Sequence, residues 1–159
     1  MRPIILSLII LSSLCTSAQE ERDTTLNRCP IFITDTVTSN NFFIEARPAK
    51  LKVDRIKGDL TVTVEQKDQF FTMFFRDKRL KTGKYKIAVN PGGGRELAAK
   101  YSFRSGDQVS YVNVSSGTVE VSVDKEKKFW VLKVNGLIAN LVERSVTYYR
   151  VRGNLSLKQ

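Results

Sequence analysis

The chain has 159 residues, with 26 Lys and Arg against 16 Asp and Glu, two Cys and no His. Without His there is no imidazole to act as general base, metal ligand or pH switch, and with Cys this scarce too few ligands remain for a zinc site. The net charge of +10 favours anionic surroundings, such as an acidic glycan, a lipid headgroup or an acidic protein.

Met1-Arg2-Pro3, an apolar run from Ile4 to Leu14 and the small-residue exit Cys15-Thr16-Ser17-Ala18 make the three parts of a secretory signal, with cleavage expected after Ala18. The run falls short of the roughly 20 apolar residues that cross a bilayer, and no later segment is long and apolar enough to do so. The alternative is a lipoprotein signal ending at Cys15, although Leu14 and Ser12 depart from that pattern. Either route places the domain outside the cytoplasm, as a periplasmic, cell-surface or secreted protein. No specific nucleic-acid partner is expected there. Loss of the signal leaves 25 Lys and Arg against 16 Asp and Glu, a net charge of +9. About 140 residues remain, enough for one domain with its own core. Cys29 is then the lone thiol, so no internal disulfide forms; pairing between chains is a minor alternative.

Residues 19–39 read as a flexible leader: Gln19 to Arg28 is polar and aperiodic, and Ile31 to Val37 is rich in β-formers and suits a first strand. From 40 to 159 the chain reads as a single β domain. Leu60, Val62 and Val64 alternate with Thr61, Thr63 and Glu65, the period of a strand with one buried face. Phe70 to Phe75 is almost continuously apolar, as in a strand covered on both sides. Tyr85, Ile87 and Val89 alternate with polar neighbours; Ala99, Tyr101 and Phe103 do the same, as do Val119, Val121 and Val123. Trp130, Leu132 and Val134 follow, and Tyr149, Val151, Leu155 and Leu157 close the chain.

Short turns separate these runs at Lys57-Gly58-Asp59, Gln66 to Gln69, Thr82-Gly83, Ser105-Gly106-Asp107 and Ser116-Gly117. Asn135-Gly136 is the sharpest hairpin signal, since both residues tolerate the positive φ of a type I′ turn. It predicts a hairpin between the Trp130 strand and Leu137 to Val142. No helical period is present. The expected fold is all-β, an antiparallel meander forming a β-sandwich, with a closed up-and-down barrel as the alternative.

Four groups of residues are candidates for function. The basic set Arg76, Lys78, Arg79, Lys81, Lys84 and Lys86 is a candidate anion-binding edge; the bland reading is a solvated hairpin with edge lysines that discourage aggregation. Asn90 to Arg95 is glycine-rich, but it lacks the following helix and the Lys-Ser/Thr pair of a phosphate loop. Glu45, Glu65, Glu120 and Glu143 are the carboxylates a hydrolase would need in facing pairs. Phe70, Phe74 and Phe129 belong to runs of adjacent aromatics. Such runs put some rings away from the main core, on an apolar surface or lining the cavity of a barrel. No cofactor is expected. Asn113-Val114-Ser115 and Asn154-Leu155-Ser156 fit the N-glycosylation rule, which matters only in a eukaryotic secretory pathway.

Thr82-Gly83-Lys84-Tyr85-Lys86-Ile87, Ser116-Gly117-Thr118-Val119-Glu120-Val121, Asp124 with the strand through Leu132, and Arg152-Gly153-Asn154-Leu155-Ser156-Leu157 carry a resemblance. Over about Asn40 to Leu157 the chain resembles a loose family of small secreted Bacteroidota β proteins, defined as a domain of unknown function. The resemblance implies a secreted or surface-attached β-sandwich and transfers no activity or site. The function expected is non-enzymatic: binding, or a structural role at the cell surface. A lipocalin-like barrel carrying an apolar ligand comes second, and a carboxylate-based hydrolase third.

Overall fold

A computed structural model of the protein describes residues 22–43, 47–56, 58–77, 79–142 and 145–158. The segment expected to be an export signal, with Cys15, and Glu45, Lys78 and Glu143, lie outside them. Among the described residues twelve strands follow in chain order: β1 Arg22–Leu26, β2 Ile31–Asp35, β3 Asn41–Phe43, β4 Ala49–Ile56, β5 Asp59–Gln66, β6 Gln69–Phe75, β7 Gly83–Ile87, β8 Glu96–Ser105, β9 Gln108–Asn113, β10 Ser116–Asp124, β11 Phe129–Val142 and β12 Ser145–Lys158. The expected all-β class holds. Within the stretch read as a leader, Arg22–Leu26 forms a strand on the edge of β4, and the strand expected from Ile31 is β2.

All twelve strands join one sheet, in the order β1-β4-β5-β6-β8-β7-β10-β11-β12-β2-β3, with β9 attached to β8. The sheet curls into a half-barrel. Chain connectivity requires the curl. β1 and β2 stand nine strand spacings apart along the ladder, about 43 Å in a flat sheet. Residues 27–30 link them directly, and five Cα steps reach at most about 19 Å.

Alternation supplies the concave face. Leu60, Val62 and Val64 of β5, Phe71, Met73 and Phe75 of β6, and Tyr85 and Ile87 of β7 are buried. They join Leu97, Val119, Val121, Leu132, Val134, Val151 and Leu155 in one core. Fully burying each large side chain is worth about 1.5–3 kcal/mol. Cys29 is buried and free, and it packs as a member of this core.

Three turn expectations fail, the first at Thr82-Gly83, where Gly83 opens β7 and β6 pairs with β8 and not with β7. Asn135-Gly136 lies in the middle of β11, which runs unbroken from Phe129 to Val142. β10 pairs β11 on one side through Ser116–Asp124, and β12 pairs it on the other along its full length. Ser116-Gly117 opens β10, with Gly117 paired to Gly136. The glycines serve close approach here. A Cβ on Gly136 would stand 2.8 Å from Val114 Cγ1, and one on Gly117 would stand 2.3 Å from the Asn135 carbonyl oxygen. Two uninterrupted ladders outweigh a two-residue turn signal.

The ladder also departs from an all-antiparallel meander. β7 lies between β8 and β10, and it pairs β8 in parallel through Lys86–Glu96 and Ile87–Leu97. The glycine-rich segment 88–95 makes that return. Beyond this point β8 leaves β7 and takes β9 as its neighbour, through Lys100–Asn113 to Ser105–Gln108. β11 stays joined to this side only as far as Ser115 N–H to Leu137 O (2.8 Å) and Ala139 N–H to Ser115 Oγ (2.9 Å). Past that point, among the described residues, no ladder joins β9 to β11, and the wall of the half-barrel splits.

Candidate functional site

The split opens onto a cleft of about 520 Å³ on the concave side. Ile33, Val112 and Ile138 give it apolar walls, and Tyr101, Phe103 and Tyr149 add aromatic ones. Their positions follow from register: Tyr101 is paired across to Val112, Ile138 to Tyr149, and Ile33 to Val151. Phe103 remains 39 % exposed at the mouth, whereas Ile33 and Ile138 are buried beneath. Tyr101 packs edge-on against Phe43 at 5.9 Å and lies 6.1 Å from Phe103.

Few polar groups reach the cleft. The Tyr101 hydroxyl donates to Gln69 Oε1 at 3.0 Å, and the Asn140 carboxamide lines the wall. Lys67, Asp68 and Arg104 are rim residues of mixed sign. The Arg104 guanidinium lies 5.8 Å from the ring of Phe70. An apolar cavity with a few convergent hydrogen-bonding groups is the usual form of a small-ligand site.

Burial raises the Tyr101 phenol above its ordinary 10.0, and the nearby Tyr149 adds to the effect. Burial likewise raises Tyr85, against the opposing Lys81 amide hydrogen bond. Both raised groups keep their protons in the folded state when the unfolded chain would release them. The stability they contribute is therefore complete below about pH 10 and lost as pH rises through the folded values. A titration followed at 295 nm should show phenolate forming above pH 10, and Tyr101→Phe should remove part of that amplitude. An unchanged curve in the variant would contradict the assignment.

Other candidates take up different places. Phe70 and Phe74 stand half-buried on the convex face, under Arg104 and Lys100 respectively. Lys100 also lies 5.7 Å from the Tyr111 ring. Phe129, at the start of β11, pairs with Asp124 and Lys158. None of these three phenylalanines lines the cleft. Glu65 points outward, in an ion pair with Lys52 at 3.1 Å, and Glu120 is exposed between Lys84 and Lys133. These two carboxylates therefore face away from the cleft.

The basic set is dispersed. Arg76 borders a depression with Phe74, Val89 and Pro91. Arg79 and Lys81 are exposed on either side of buried Leu80. Lys84 and Lys86 project from the convex face of β7. There they share rows with residues absent from the expected set: Lys84–Glu120–Lys133 and Lys86–Thr118–Asn135–Arg152. Among the described residues no helix is long and apolar enough to cross a membrane, and no group of three or more His, Cys, Asp or Glu could hold a metal ion. No protein-family model, curated protein or solved structure matches the chain.

Proposed function

We propose that this chain is an exported, non-enzymatic binding protein whose cleft takes a small apolar ligand. The observation that carries this reading is the cleft itself, about 520 Å³ in volume and walled by Ile33, Val112, Ile138 and aromatic rings. That volume lies within the about 300–1,000 Å³ typical of small-molecule sites. A filled interior would instead have favoured a purely structural role. Export, read from Ile4 to Ala18, supplies the setting: a carrier or receptor that meets its ligand outside the cytoplasm. Binding draws on apolar burial, about 25 cal/mol per Å² removed from water, with Tyr101, Gln69 and Asn140 orienting any polar end.

The test uses the uncharged fluorophore N-phenyl-1-naphthylamine. Its emission should rise and shift to the blue in the presence of the protein. Val112→Trp and Ile138→Trp fill the cleft from two walls. Val112 is half-buried, so its enlargement strains the fold less than a change in a closed core, where overpacking costs about 1–3 kcal/mol. Val112→Trp should weaken probe binding by about tenfold or more, equivalent to about 1.4 kcal/mol, with its thermal midpoint nearly unchanged. Wild-type protein that leaves the probe dark, or a Val112→Trp variant that binds it equally well, would remove the proposal.

A further inference from the structure

A second site lies on the opposite, convex face, where β12 meets β2. Register sets out its groups. Asn135, Arg152 and Phe32 fall in one row across β11, β12 and β2; Lys133 pairs with Asn154 in the next, and Arg150 pairs with Thr34 on the other side. Lys133, Arg150 and Arg152 are exposed, and Phe32 is half-buried. β2 pairs with β12 only from Gly153 to Tyr149. The last part of β12 is therefore left uncovered on that edge, and the chain crosses there through Pro30, whose carbonyl accepts from Asn154 N–H at 2.9 Å.

This produces two depressions that share Phe32 and Arg152. One, of about 530 Å³, also holds Lys133, Asn135 and Asn154. The other, of about 220 Å³, holds Arg150 and Thr34. Among the described residues none of the three cations has a carboxylate within 4 Å. Asp35 borders the smaller depression, but its carboxylate accepts from the Val37 and Thr38 amides at 2.7 and 3.1 Å. Its charge leaves the larger depression as the more positive of the two.

We infer that this groove binds an acidic oligosaccharide, a uronate chain with its carboxylate at Arg152 and Lys133. Three features select that chemistry. The planar guanidinium matches a carboxylate with two parallel hydrogen bonds. Asn135 and Asn154 each offer both donors and an acceptor, which suits sugar hydroxyls and exceeds what a phosphate or sulfate needs. Phe32 offers an aromatic surface beside the guanidinium, on which the apolar face of a pyranose ring can stack. The depressions are concave and of sugar size, whereas a planar membrane would touch only the crest of a convex face. The net charge of the chain adds long-range attraction for a polyanion.

The experiment titrates the full chain with a defined oligogalacturonate in a calorimeter, at low and moderate salt. Arg150→Glu with Arg152→Glu should weaken binding by about 30-fold or more, as expected when a direct charge partner is removed. Arg152→Lys keeps the charge and loses the fork, and it should still cost about fivefold. Phe32→Leu should reduce affinity without changing the salt dependence. Lys84→Glu with Lys86→Glu, on the same face but outside the groove, should change affinity by less than about threefold. Equal losses in the groove and β7 variants, or an Arg152→Lys variant as tight as wild type, would reduce the site to diffuse surface charge and overturn the inference. Tighter binding to polyphosphate or to phosphatidylglycerol vesicles than to the uronate would overturn it as well. Binding of the apolar probe in the cleft is independent of each of these outcomes.

Discussion

Gly117→Ala should cost about 3–5 kcal/mol, a large part of the roughly 5–15 kcal/mol that holds a domain of this size together. Two effects combine at this position. Its φ is +141°, a conformation that side chains rarely adopt and that costs about 1–3 kcal/mol when forced on a residue other than glycine. The added Cβ would also stand 2.3 Å from the Asn135 carbonyl oxygen and 2.6 Å from Gly136 Cα. Both atoms are backbone in the β11 ladder, so neither can move aside as a flexible side chain would. Relief requires β10 to part from β11 beside buried Val119 and Val134, at the corner where the wall splits. Gly106→Ala is the matched control. It too has positive φ (60°), but nothing lies within 4 Å of the added Cβ. Its cost should stay near the about 1–2 kcal/mol of left-handed strain. Urea midpoints of the two variants decide the matter, since equal shifts would mean that backbone strain, and not close approach, requires glycine at position 117.

That position also shows how far the sequence could be read. Alternation located the strands with buried faces correctly, because burial on one side imposes period two: Leu60-Val62-Val64, Tyr85-Ile87 and Val119-Val121 all point inward. Local turn chemistry was less informative. Asn135-Gly136 carries the strongest hairpin signal in the chain, yet its glycine meets Gly117 across a ladder, and the need came from Val114 and Ile87, distant in sequence. The cleft was hidden for the same reason. The turn signal at Asn135-Gly136 places Ile138 and Asn140 on the far arm of a hairpin that does not form, whereas both lie in the unbroken β11. Phe70 and Phe74 attract attention as cavity residues because they are aromatic, but they alternate with the inward Phe71, Met73 and Phe75, which turns them outward under Arg104 and Lys100 respectively. The convex groove was still less visible. Lys133, Arg150 and Arg152 form no run in sequence, and only the pairing of β11, β12 and β2 gathers them. A run such as Arg76 to Lys86 is conspicuous in sequence, but its residues separate between a loop and a strand.

Phe75→Ala and Tyr85→Phe should act on that loop in different ways. Phe75 is 1 % exposed, and its ring meets Tyr85 edge-on at 5.5 Å and 82°. Truncation to Ala should cost about 3–5 kcal/mol through lost burial and a residual cavity. Tyr85→Phe keeps the ring and removes only the hydroxyl. That hydroxyl accepts from Lys81 N–H at 3.0 Å and donates to Asp77 Oδ2 at 3.3 Å, joining the two sides of the loop to the core. Its loss should cost about 1–2 kcal/mol, mostly as local opening. Trypsin separates the two effects because Arg76, Arg79 and Lys81 are exposed. Tyr85→Phe should be cut faster within the loop while its urea midpoint moves little. Phe75→Ala should show a lower midpoint together with cleavage throughout the chain. If Tyr85→Phe is cut no faster than wild type, burial of Leu80 alone holds the loop. The phenol would then be a satisfied core group with no part in presenting the loop's charges.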